Sequence, residues 1–237
     1  MLGLSVFHWG KYSDALECGS SYDRSSARET LFKATKDVLN KVCVLGRPEE
    51  IIVPVGSDFL HVDTNKATTT VGTQMDVDGT PQEILVSACY LLQDWVNTVR
   101  QVAPVRLILM SGNHDRLTGV ALLMYLEALY SNCSDVTVET QRTPRSYVTY
   151  GSNLIGFVHG DGANKTQDLA GLMAQENASK WGTCPHRTVY TGHLHFELTE
   201  TTYGVTRRQL PSLAGTDRWH SIKGYTSPKV LPVYVHD

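Results

Sequence analysis

Five short polar clusters stand at the ends of apolar runs in this 237-residue chain. The densest is "LILMSGNHDR", residues 107–116, where an apolar run passes through Ser-Gly and then offers Asn113, His114, Asp115 and Arg116. "SVFHWG" delivers His8, and "IIVPVGSDFLHVD" delivers Asp58, His61 and Asp63. "LIGFVHGDG" delivers His159 and Asp161, and "TVYTGHLHF" delivers His193 and His195. Imidazole nitrogens together with carboxylate and amide oxygens, without thiolates, suit ions such as Zn, Mn, Fe, Ni or Co. His193 and His195 are two residues apart, so in extended chain they point to one side and each can face one of two neighbouring ions. Gly56, Gly112, Gly160 and Gly192 let the backbone turn tightly and approach a ligand. Singly, each cluster is no more than a turn or a helix cap. Their conjunction, each after an apolar run, points to one shared metal site.

Such a site needs strands that end together. Residues 2–8 read as an opening strand. Residues 24–43 carry Ala27, Leu31, Ala34, Val38 and Val42 at helical spacing, with Ser25 or Ser26 as the cap. "EIIVPVGSDF" reads as a buried strand, and the threonine- and glycine-rich stretch after it is too long for a simple connection. Pro81 opens a helix to about residue 102, with Ile84, Ala88, Leu91, Trp95 and Val99 turned inward. A strand at "VRLILMSGN" and a helix over 117–130 follow. Strands are expected near 136–139, 146–150, 153–158, 187–191, 196–202 and 205–210, a helix over 166–177, and a last strand at "VLPVYV". Strand and helix alternate first and strands dominate later, which reads as one α/β domain with a mixed or two-layer sheet core. In open α/β sheets, ligands bind in the crevice beyond strand ends.

Hydrophobic residues make up 41% of the chain and charged residues 19%, as in a globular protein with a core. The net charge of −3 gives no global attraction to nucleic acid. The five cysteines are odd in number and widely spaced, which reads as reduced thiols. The opening residues show no basic leader, so a cytoplasmic location is expected (the host's, if the protein is viral) and no membrane partner.

In this order the clusters resemble the motifs of the calcineurin-like metallophosphoesterases, which run D-x-H, G-D, G-N-H-[DE], H and G-H-x-H. Here they are "VFH" at 6–8, "GSD" at 56–58, "GNHD" at 112–115, "HGD" at 159–161 and "GHLH" at 192–195. The loop "TTTVGTQMDVDGT" and the tail "DRWH" are similar to small stand-alone bacteriophage members labelled repair-exonuclease-like. The resemblance implies a mixed β-sheet sandwich flanked by helices, with a metal site at the strand ends and one domain over residues 1–237. It implies two divalent ions, Mn²⁺ first and Mg²⁺, Zn²⁺, Fe²⁺, Ni²⁺ or Co²⁺ as alternatives. Asp58 would bridge them, His8 and His195 would complete one shell, and Asn113, His159 and His193 the other. His114 would sit beside the scissile phosphate, with Asp115 orienting it.

The activity implied is hydrolysis of DNA or nucleotide phosphodiesters by hydroxide formed between the ions. Alternatives are a phosphomonoesterase or cyclic-nucleotide phosphodiesterase on the same centre, or a binding protein whose metal site has degraded. A protein partner that supplies DNA specificity is a further expectation. His61 and Asp63 are candidates to orient ligands, Arg116 to contact substrate phosphate, and Asp161 to orient His159. Trp181, Trp219 and His220 are candidates for a base-stacking surface or for the core.

Two features depart from the family pattern. Val6 stands where the first motif has Asp, so the first ion loses a carboxylate and binds weakly, is absent, or recruits an oxygen from Asp14, Asp63 or water. Ser57 splits the Gly-Asp pair, which leaves Asp58 as the bridge and Asp63 as its alternative.

Overall fold

Three parallel strands form the first sheet, and two of them, nearly all apolar, are buried almost throughout. In this computed structural model, β1 (Ile51–Gly56), β2 (Val105–Met110) and β3 (Val136–Glu139) lie in the order β1-β2-β3. Every residue of β1 is buried, the run expected of a parallel strand covered on both sides. A second, five-stranded sheet has the order β4-β5-β6-β8-β7, formed by β4 (Arg145–Tyr150), β5 (Asn153–Val158), β6 (His186–Thr191), β7 (Leu198–Thr202) and β8 (Val205–Gln209). It mixes parallel β5-β6-β8 with antiparallel edges. The structure describes residues 1–224 and 227–237; residues 225 and 226, and the side chains of Trp219 and His220, lie outside the described residues.

The sheets pack face to face. Ile52, Ile108 and Met110 of the first meet Val148, Ile155, Phe157 and Tyr190 of the second. The alternate residues Val53, Val55, Leu107 and Leu109 face α2 (Arg24–Leu45), α3 (Pro81–Val99) and α4 (Arg116–Tyr130). On the far side of the second sheet, Leu154, Val158 and Val189 pack on α5 (Thr166–Glu176) and α6 (Ala178–Trp181). The result is a helix–sheet–sheet–helix sandwich, generated by the two-residue period of the strands. Two short helices, α1 (Ala15–Cys18) and α7 (Arg218–Lys223), complete the elements. None of the described helices is long and apolar enough to cross a membrane.

The helix ends follow local chemistry. The cap of α2 is Asp23, whose side chain accepts from the Ser26 amide while Ser26 answers the cap backbone. Ser26 thus belongs to the capping box without being the cap. Thr80 and Glu83 form the same box on α3, with Pro81 at its first turn. Between α2 and α3, the Trp95 indole donates to Thr35 Oγ1 at 2.7 Å, which satisfies a fully buried nitrogen.

The two chain ends depart from expectation. Residues 2–8 are buried but form no regular strand. They run beside β1 and its extension, with Val6 N on Ser57 O at 2.7 Å and His8 N on Asp58 O at 2.9 Å. Val6 and His8 both have φ of 52°, a left-handed backbone no strand contains. At "VLPVYV" only one bridge forms, Leu2 to Val233, because Pro232 has no N–H to give a ladder.

Trp95→Ala removes the largest fully buried side chain of the helix–sheet core. It is expected to cost about 3–5 kcal/mol, read as a lower urea midpoint with an unchanged slope.

Candidate metal centre

Four parallel strands, two from each sheet, release their polar residues at one end of the sandwich. β1 leads to Ser57 and Asp58, β2 to residues 112–115, β5 to His159, and β6 to His193 and His195. The N-terminal segment lays His8 alongside.

One group of donors is tight. His159 Nε2 lies 3.1 Å from Asp58 Oδ2 and 2.9 Å from Asn113 Oδ1, and His193 Nδ1 lies 3.1 Å from the same amide oxygen. Two atoms bound at about 2.0–2.2 Å to one ion stand roughly 3 Å apart, so this spacing fits a shared cation. Asp58 and His159 are both 1% exposed. Burial pushes the Asp58 carboxyl up, but His159 and the His114 amide outweigh it and hold it at about 2. Burial lowers His159, and the Asp58 charge more than reverses that, so it sits above its ordinary value. Burial and the neighbouring His159 hold His193 below its ordinary value. Without an ion, protons on the imidazoles hold this geometry; an ion replaces them.

The second group surrounds His8. Its Nε2 lies 3.2 Å from His195 Nε2 and its Nδ1 lies 3.1 Å from His61 Nδ1. His114 stands against the same ring, with centroids 4.7 Å apart. Nitrogens of His8, His61 and His114 fall within 4.8 Å of one another, as do ligand atoms of Asp58, His159 and His193. Burial, reinforced by the surrounding imidazoles and Lys11, keeps His8 well below its ordinary value, and burial with His114 does the same for His61. Neutral imidazoles keep a lone pair for a cation. The donor chemistry therefore fits divalent ions: one position mixes nitrogen and oxygen, and the other is rich in nitrogen. Asp58 Oδ1 accepts the His114 backbone amide at 2.8 Å, which sets the carboxylate of the first group beside a residue of the second.

Holding these groups strains the backbone. Val6, His8, Ser57, Asp58, His193 and His195 all have φ between 52° and 72°. For a non-glycine residue that conformation costs about 1–3 kcal/mol and persists only where the surroundings enforce it. Gly112 and Gly192 are required for close approach. A Cβ on Gly112 would collide with the Asp58 carboxylate and amide and reach Asp115 Oδ1 at 2.7 Å. One on Gly192 would collide with the hydroxyls of Ser57 and Ser5.

The structure gives several of these residues partners other than those expected. Asp115 does not orient His114: its carboxylate accepts the amides of Gly112, Asp58 and Leu60 at 3.1–3.3 Å. His114 Nδ1 instead meets the His61 carbonyl at 2.9 Å. Burial and the Asp58 charge push the Asp115 carboxyl upward. Asp63 is not an alternative bridge, because it caps α4: Oδ1 accepts the Leu117 and Thr118 amides, both at 2.9 Å. Asp14 caps α1 by accepting the Leu16 amide. Arg116 and Asp161 pair with each other at the rim, and Trp181 lies under the Arg187 guanidinium, 4.0 Å from the ring centroid.

Two residues escaped the sequence reading. Ser57 Oγ lies 3.0 Å from His159 Nδ1 and 2.8 Å from Ser5 Oγ, so the residue that splits the Gly-Asp pair orients an imidazole of the tight donor group. The only sequence signal was a hydroxyl inside that motif. Lys11 is 1% exposed and binds Asp217 at 2.9 Å and the Gly215 carbonyl at 2.7 Å, which ties the chain's late segment beside His8. A cavity of about 300 Å³ opens here, lined by His8, His61, His114 and His195 and by Tyr12 and Met75.

No family model matches the chain, and no curated protein matches it. Among solved structures, a conserved uncharacterized protein from Streptococcus pneumoniae TIGR4, described as a predicted phosphoesterase, is 15% identical. The match covers 90% of this chain and 72% of that one at a TM-score of 0.37. At that level the likeness carries no argument, and the functional reading rests on the geometry.

Gly112→Ala is expected to displace Asp58 and weaken ion binding by at least roughly the 10- to 100-fold that loss of ligand support costs, measured by chelator competition. Asp63→Ala uncaps α4 and is expected to cost about 0.5–2 kcal/mol in urea unfolding while leaving ion stoichiometry intact.

Proposed function

We propose that this protein is a metal-dependent phosphoesterase. The observation that supports the reading lies at Asp58: a mixed nitrogen and oxygen donor group and a group of imidazoles stand side by side, linked where this buried carboxylate accepts the His114 amide. A pair of divalent ions in such positions would neutralise phosphate oxygens and lower the pKa of a nearby water. Mn²⁺ is the first ion to test, because the tight donor group mixes nitrogen with oxygen.

The chain's own residues then do the rest. Asn113 contributes an amide oxygen without adding negative charge, which keeps the centre attractive to an anionic substrate. His114 donates its Nδ1 proton to the His61 carbonyl, so its other nitrogen is the one that exchanges a proton with the leaving oxygen. Asp115 ties the end of β1 to the end of β2 through backbone amides and so fixes where Asp58 stands.

The substrate class we favour is a phosphodiester of DNA or a nucleotide. The adjoining cavity, about 300 Å³, is at the small end of ligand sites and suits a chain end or a mononucleotide. Tyr12, 47% exposed at its edge, offers a stacking face for a base. Val6 favours a second reading, a binding protein with an incomplete centre, since valine gives the first ion no oxygen.

A metal-dependent activity screen separates these readings. Bis-p-nitrophenyl phosphate, its mono-ester, single-stranded DNA and cyclic nucleotides would be compared in excess Mn²⁺. Chelation is expected to abolish turnover. His114→Ala is expected to lower kcat by about 10²- to 10⁴-fold without changing metal content. Less than one equivalent of bound metal, with no turnover on any ester, would establish the binding-protein reading instead.

A further inference from the structure

We propose that His61 is a positioning residue: it holds His8 in the one tautomer that presents Nε2 to a cation shared with His195. The inference rests on the metal reading of this site and adds a residue to it.

His8 meets another imidazole at each of its two nitrogens, His61 Nδ1 at 3.1 Å from Nδ1 and His195 Nε2 at 3.2 Å from Nε2. A neutral imidazole has one N–H and one lone pair. His8 can therefore serve a cation on one side only, and the other side must carry a proton that needs an acceptor. The Nε2 side borders His195, and His195 shares a segment with His193 of the other donor group. A cation there lies next to that group. Its proton then sits on Nδ1, and His61 Nδ1 accepts it.

His61 is built to stay an acceptor at that spot. It is 2% exposed, and its ring stands at 89° to that of His8. Its amide donates to the Trp9 carbonyl at 3.0 Å, and its carbonyl takes His114 Nδ1 at 2.9 Å. Its backbone is thus pinned on both sides to chain that carries site residues. Metal-bound histidines usually pass their second N–H to a carboxylate or a carbonyl. Here the acceptor is a neutral imidazole, which adds no negative charge.

The arrangement matters more in this chain because of Val6. Valine supplies no oxygen, and Asp14 and Asp63 are both engaged as helix caps. With His61 Nδ1 turned to His8 and His114 Nδ1 turned to the His61 carbonyl, His8 Nε2 and His195 Nε2 are the facing nitrogens for the first cation among the described residues, so the tautomer of His8 weighs heavily on affinity. Without an acceptor at Nδ1, His8 divides between two tautomers, one of which turns an N–H toward the cation.

The test uses the full chain labelled with ¹⁵N-histidine and loaded with Zn²⁺, which is diamagnetic. Imidazole ¹H–¹⁵N correlation spectra should show His8 Nε2 bound to metal and Nδ1 protonated. In metal titrations, His61→Leu should weaken one of two ion positions by roughly 10- to 100-fold and leave the other unchanged. His61→Asn, whose amide oxygen falls where Nδ1 stood, should restore it. Spectra showing His8 Nδ1 on the metal would overturn the proposal, since His61 would then be a ligand itself. Equal ion affinities in His61→Leu and wild type would overturn it as well. If His61→Leu fails to fold, the wild-type spectra decide alone. Ion binding that depends on His61 without hydrolysis of any ester would remove the phosphoesterase reading and leave this role standing. Hydrolysis by a protein whose ion affinities ignore His61 would do the reverse.

Discussion

The site depends on keeping one buried carboxylate charged. Asp58 is 1% exposed at the end of β1, where burial by itself would neutralise it. His159 and the His114 amide reverse that pressure, and each arrives on a different strand. The carboxylate therefore holds the two sheets in register at their ends. Asn113 Oδ1 meets His159 Nε2 and His193 Nδ1, which brings both residues to the same point. A sandwich that failed to align β1, β2, β5 and β6 would leave a naked charge in its core.

That demand explains where the backbone is strained. The left-handed residues at the site lie on three separate segments, 6–8, 57–58 and 193–195, each just where a chain must stop running straight and aim a side chain inward. Val6 is the costliest of them, since branching at Cβ makes that conformation hard to adopt. It is held by its amide on Ser57 O and its carbonyl on the Ser212 hydroxyl at 2.6 Å. Gly112 and Gly192 let neighbouring segments close to distances no Cβ would permit.

Carboxylates near the centre divide into two kinds. Asp58 gives one oxygen to an imidazole and the other to a backbone amide. Asp115 and Asp63 face backbone amides, which a strand-to-helix junction leaves without partners and which must be satisfied once buried. All three look alike in the sequence, each a few residues past an apolar run. Which kind a given Asp becomes depends on what the other strands bring within about 3 Å, and that is a tertiary matter.

The order of the longer strands and helices between residues 24 and 210, the inward faces of α2 and α3, and the placing of His, Asp and Asn residues at strand ends were legible in the chain itself. Periodicity and turn residues are local signals, and polar residues after apolar runs mark strand ends. Irregularity at residues 2–8, the hand-off from Asp115 to the His61 carbonyl, and the task of Ser57 were not. Each is settled by a partner roughly fifty or more residues away, through hydrogen bonds whose geometry no local pattern encodes. The sequence by itself determined which donors are available and on which strands they ride. Only the packed sandwich decided which nitrogen or oxygen each presents, because that choice belongs to whichever neighbour occupies the other side of the side chain.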